Sequence, residues 1–150
     1  MKVINMSIDW KQSILAASKR RAGKAAAARF AALVEEVGDR VNHEIAAILM
    51  KTFSSEPDYG TQEHVVGVLT DAPVTVRQSA ILDELPRLVA EAREWAYDLL
   101  GSELRDSPST LIRIAKQKPH PVHQALQTLY EDAEFADECD EIERLAVLFQ

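Results

Sequence analysis

Among the side chains that could do chemistry, His120 and His123 stand first, because three residues on a helix put two imidazoles on one face, where they can share a metal ion. No cysteine or further carboxylate stands at a spacing that completes such a site, so a surface pair is the expectation. His43 and His64 are isolated and are expected to face solvent or a satisfied partner. The segment 131–143, EDAEFADECDEIE, carries eight acids in thirteen residues. It lacks the Asp-x-Asp-x-Asp-Gly order of a calcium loop and has no glycine for the sharp turn. Paired carboxylates of this kind also serve hydrolases, but no substrate cleft is legible beside them. Acids at the start of a last helix suit its dipole, which accounts for Asp137, Glu138 and Asp140. The lone Cys139 has no basic or histidine neighbour in sequence and reads as a small, half-buried residue. The chain contains no G-x-S-x-G elbow, no phosphate-cradling glycine loop and no H-E-x-x-H. The expectation is therefore no catalysis, no cofactor and no metal.

The longest apolar repeat runs from Val74 to Gly101, and the rest of the chain is organised around it. Val74, Ile81, Leu85, Leu88, Ala92, Trp95 and Leu99 share one face at helical spacing, and Val89, Ala96 and Leu100 widen the stripe. Pro86 is expected to kink or break this stretch just before itself. Trp95 is expected to anchor the core. Asp83, Glu91, Glu94 and Asp98, with Arg87 among them, form the opposite face, solvated or used for recognition.

Upstream, Ser7 can cap a helix through Asp9, Trp10, Ile14 and Ala17. Lys19, Arg20, Arg21 and Lys24 follow as a solvated basic end without the interleaved aromatics of a single-strand platform. A helix is predicted from Ala25 to Val37, a turn at Gly38-Asp39, and another helix through Val41, Ile45, Ile48, Leu49 and Phe53. Residues 54–60, SSEPDYG, form the clearest loop, and a helix capped by Thr61 continues to Leu69. Thr75 and Gln78 match a capping box. Downstream, Ser107-Pro108 opens one short helix, His120-Pro121 the next, and the last is expected from about Ala136 to Phe149. The reading is all-α: one domain over residues 1–150, seven or eight helices in antiparallel hairpins, with degenerate HEAT-like solenoid character.

Net charge is −7 and unevenly placed. Residues 1–55 sum to +4 and residues 56–150 to −11. Such asymmetry bears on partners: an acidic surface repels nucleic acid and attracts basic proteins. No apolar run reaches the ~20 residues of a membrane span, and the start has no signal-like block, so a cytoplasmic protein away from membranes is expected. One cysteine forms no internal disulfide, which agrees with that compartment.

The run AILDELPRLVAEAREWAYDLLGSEL, residues 80–104, resembles a segment of the all-helical immunity proteins of bacterial polymorphic toxin and contact-dependent growth inhibition systems. There an A-L-P-x-L helix precedes an E-W-A helix and a short N-S-E-like turn. Here these are Leu85-Pro86-Arg87-Leu88, Glu94-Trp95-Ala96 and Gly101-Ser102-Glu103. Leu49 to Gly60 resembles the family's helix ending in an acidic turn, and Pro121 to Phe135 its late helix ending in acids. The chain departs from the pattern at Val65 and Val66, where an aromatic residue is expected. The resemblance implies a non-enzymatic protein that binds a cognate toxin domain, often a nuclease with a basic surface. The alternative is a helical-repeat scaffold or adaptor with no toxin partner. An enzyme using acids and a metal is weakest. Charge density then selects Glu131, Asp132, Glu134, Asp137, Glu138 and Glu141 as the docking surface, with Asp58 and Tyr59 as a second contact.

Overall fold

The computed structural model describes residues 8–18, 24–56 and 60–150. Every regular element among them is helical, as the apolar spacing requires. The contacts group the chain into two compact units, residues 1–77 and 78–150.

The first unit holds α1 (Ile8–Ser18), α2 (Lys24–Glu35), α3 (His43–Met50) and α4 (Thr61–Thr70). Helix α2 packs against both α1 and α4. Trp10 is buried on α1, and its indole Nε1–H donates to the Leu33 carbonyl at 2.9 Å, so a large apolar ring enters the core with its polar atom satisfied. Phe30, Val34 and Val37 are fully buried. The turn after α2 uses Gly38 at φ 57, a left-handed conformation that costs glycine little. Arg40 caps the end of that helix by donating to the carbonyls of Glu36 and Val37.

Helix α3 starts at Asn42, whose side chain accepts from the Ile45 N–H at 2.8 Å. Val41 and Phe53 lie outside the helix but are buried, so the predicted apolar set is right and the helix is shorter. The cap of α4 differs from expectation. Gly60, at φ 77, occupies the N-cap, while Thr61 is buried inside the helix. Buried Gln62 receives the Ser54 N–H at 2.7 Å and ties down the start of the intervening loop. Ser7, Lys19, Arg20 and Arg21 lie outside the described residues.

Helix α5 (Val74–Glu91) crosses the unit boundary, and the second unit continues with α6 (Arg93–Asp106), α7 (Pro108–Ala115), α8 (His120–Tyr130) and α9 (Ala133–Glu138). A 3₁₀ segment, Asp140–Phe149, ends the chain. It packs against α6, α7, α8 and α9, so this unit closes around its last element. Pro86 does not break α5, which runs unbroken past it. One missing N–H is tolerated because Ile81, Leu82, Leu85 and Leu88 are buried on both sides of the ring. The break falls six residues later, at Ala92, with φ −147 and ψ 57.

Three further expectations change. Trp95 is only half-buried; the buried aromatic of α6 is Tyr97, stacked on fully buried Phe135 with ring centroids 5.2 Å apart. Gln78 makes no capping box: it lies inside α5, and its Nε2 donates to Glu103 at 2.9 Å and to the Ser107 carbonyl at 3.0 Å. Gly101-Ser102-Glu103 is helical and forms no turn.

Candidate partner-binding surface

The acid-rich segment is built from one capping residue. Asp132, at the N-cap of α9, accepts the backbone N–H groups of Glu134 (3.0 Å) and Phe135 (3.4 Å) on one oxygen. Its other oxygen accepts the Tyr97 hydroxyl and the Arg93 guanidinium, the latter at 3.2 Å. The Tyr97 hydrogen bond, with the two amides and Arg93, holds the Asp132 carboxyl below its ordinary range. Burial and the same hydrogen bond push the Tyr97 hydroxyl up to about 12. Asp132 is therefore a folding residue, its side chain only 12% exposed, with its oxygens occupied from within the chain.

The other candidates face solvent. Glu131, Glu134, Asp137 and Glu138 are exposed and Glu141 is half-buried. Among the described residues none of these five forms an ion pair. Their polar contacts are weak: Glu131 accepts from Gln127 at 3.4 Å, Glu134 from Tyr97 at 3.3 Å, and Glu141 from the Cys139 thiol at 3.6 Å. These five carboxylates are little engaged by other side chains of the described residues. Asp58 and Tyr59 lie outside the described residues.

The predicted single helix from Ala136 is split. Asp132 starts α9 earlier, at Ala133, and Cys139 stops it with φ −135 and ψ 100. After that the buried positions are Ile142 and Leu145, with Leu148 half-buried next in the series. Cys139, Ile142, Leu145 and Leu148 repeat every three residues, the period of a 3₁₀ helix, and that signal was present in the sequence. Cys139 is buried, and burial raises its thiol pKa, which lowers the thiolate fraction.

On the other helices Asp83 pairs with Lys118 at 2.8 Å and Arg87 with Glu84, so part of the α5 charge is used internally. Burial and the neighbouring Glu94 raise the Asp98 carboxyl on α6. The ring Nε2 of His123 lies 2.7 Å from the Ala115 carbonyl and donates to it, while His120 is exposed. His64 lies 3.6 Å from Glu35 with both exposed, as a solvent-facing histidine should be, and His43 is exposed at the start of α3. Among the described residues no three His, Cys, Asp or Glu side chains are grouped to hold a metal ion. No helix among them is long and apolar enough to cross a membrane.

Comparison of the chain with protein-family models, with curated proteins and with solved structures finds no match.

Proposed function

We propose that this protein is a stoichiometric inhibitor of the immunity type, a cytoplasmic protein without catalytic turnover that neutralises a cognate bacterial toxin domain by binding it. The observation that carries the reading is the set of exposed carboxylates on α9 and its flanks that no cation of the described residues neutralises. Like charges this close repel, and a basic partner relieves that repulsion. Nuclease surfaces that hold phosphates are basic, so a nuclease domain is the fitting partner class. Charge of this kind speeds encounter and excludes wrong partners more than it adds affinity. The resemblance of residues 80–104 to immunity proteins points the same way.

The test uses the toxin-like domain encoded next to this chain's gene. Inhibition should saturate at one inhibitor per toxin domain. Reversing Glu131, Asp137 and Glu138 to lysine should slow association and flatten its salt dependence, because exposed charges are screened over about 8 Å at physiological ionic strength. Helical content should stay near normal, since none of the three caps a helix through its side chain. Unchanged association kinetics in that variant would remove the acidic surface from the reading. A neighbouring domain that this protein neither binds nor inhibits would remove the function itself.

A further inference from the structure

The second unit carries a basic counterpart to its acidic helix. Residues 107–130 contain no Asp or Glu, and Arg113, Lys116 and Lys118 fall within six of them. Three of the side chains there, Arg113, Gln117 and Lys118, line a cleft of about 230 Å³ together with Ile114 and with Ser79 of α5.

We propose that this cleft binds a phosphate group, free or as a phosphomonoester. The donors are arranged for it. Lys118 Nζ donates to Ser79 Oγ at 2.7 Å and to Asp83 Oδ1 at 2.8 Å, which leaves one of its three N–H bonds. Because Ser79 Oγ accepts from an ammonium that has no lone pair, the serine's own O–H remains to donate elsewhere. The Arg113 guanidinium is exposed and forms no ion pair among the described residues. The Gln117 amide adds two N–H groups on the same wall. Asp83 cancels one of the two cations, so one positive charge is left to meet an anion. Four donor groups, from α5, α7 and the turn after α7, line the cleft. A phosphate offers at least three strongly accepting oxygens.

Cations at the end of α7 also suit its negative terminus, and that accounts for Arg113 and Lys116 being there. It does not account for Lys118 turning to Ser79 and Asp83 on another helix. The same terminus opposes an anion, so binding should be weak, in the millimolar range. The cleft shares no residue with the acidic segment, and its test is independent of the toxin reading.

The experiment is an amide-resonance titration of the intact protein with inorganic phosphate, with O-phosphoserine, and with acetate at matched ionic strength. Phosphate or phosphoserine should give saturable shifts centred on Ser79, Gln117 and Lys118, and the tighter of the two identifies the source. Acetate should give none. Arg113→Ala should weaken binding about tenfold, the size expected for one charge-assisted contact. Lys116→Ala removes the same charge from an exposed position that does not line the cleft, and should change binding less than about twofold. Equal losses in the two variants would mean diffuse attraction and would overturn the site. So would equal shifts with acetate, or shifts that never saturate.

Discussion

Residues 107–130 and residues 131–143 are neighbours in sequence and opposites in charge. The first stretch has three lysines and arginines and no carboxylate; the second has eight carboxylates and no lysine or arginine. Each commits part of its charge to the fold. Lys118 is held by Ser79 and Asp83, and Asp132 by Tyr97, Arg93 and two backbone amides. In each stretch other charges face solvent without ion pairs among the described residues, Arg113 in one and Asp137 and Glu138 in the other. The comparison separates charges that build the unit from charges left for a ligand. Sequence spacing alone does not make that separation, because both kinds occur within about five residues of one another.

The largest test of the acidic stretch is to release its apolar anchor. Phe135 is fully buried and stacked on Tyr97, and it is the buried side chain of α9. Phe135→Ala should cost about 3–5 kcal/mol, read as a lower urea midpoint. A loss under about 1 kcal/mol would mean that the stretch is not anchored as described, and the division between folding and free charges would lose its basis there.

The second test compares two acids five residues apart. Asp132→Ala removes acceptors from a hydroxyl, a guanidinium and two helix-start amides, and should cost about 1–3 kcal/mol. Asp137→Ala removes an exposed carboxylate and should stay within about 0.5 kcal/mol. Equal effects would erase the distinction.

The pH dependence comes from the same contacts. The Asp132 carboxyl titrates lower in the folded state than in the unfolded chain. Its contribution is therefore present above the unfolded carboxyl pKa of about 3.9 and is lost as pH falls through the folded value. The Tyr97 hydroxyl is shifted the other way, to about 12. Its contribution is full below the unfolded value of about 10 and is lost as pH rises through the folded one. Tyr97→Phe should remove the alkaline limb attributable to this ring and flatten part of the acid limb through the missing hydrogen bond to Asp132. Urea midpoints across both limbs, compared with the parent protein, measure this. An alkaline limb of undiminished size would show that another group causes it.

The all-helical architecture was legible because the apolar rows of α2, α5 and α6 keep helical phase, and burial tracks them at Phe30, Val34, Ile81, Leu85, Leu88 and Leu99. What was not legible is where polar side chains go. Asp132 reads as one acid among eight, and only the arrival of Tyr97 from α6 makes it a cap and a hub. Gln78 reads as a capping residue, yet its partners, Glu103 and the Ser107 carbonyl, lie 25 and 29 residues away. Trp95 continues the apolar row, yet the buried aromatic is Tyr97 two positions on, stacked on Phe135 of α9. Pro86 carries a local penalty that the apolar contacts on both sides outweigh. The candidate surface itself was legible as charge density, because counting acids needs no partner from a distant helix.

The last test concerns how closely the acidic stretch rests on α6. Gly101 lies inside that helix, where glycine is less favourable than alanine by roughly 0.5–1 kcal/mol. A methyl group there would meet Phe135 Cε1 at 3.7 Å and Cys139 Sγ at 3.8 Å, both ordinary contact distances. Its nearest neighbour, Arg105 Nη1 at 3.4 Å, is the end of a flexible side chain and can move aside. Helix propensity and the new contacts therefore act in the same direction, and Gly101→Ala should stabilise the protein by about 0.5–1 kcal/mol. Gly101→Val adds two further carbon atoms toward the same wall and should destabilise by about 1–3 kcal/mol through overpacking. Urea midpoints of the two variants measured side by side decide the matter. A destabilised alanine variant would mean that α9 sits nearer to α6 than described. A tolerated valine would mean that it sits farther away, with the Tyr97–Asp132 contact correspondingly looser.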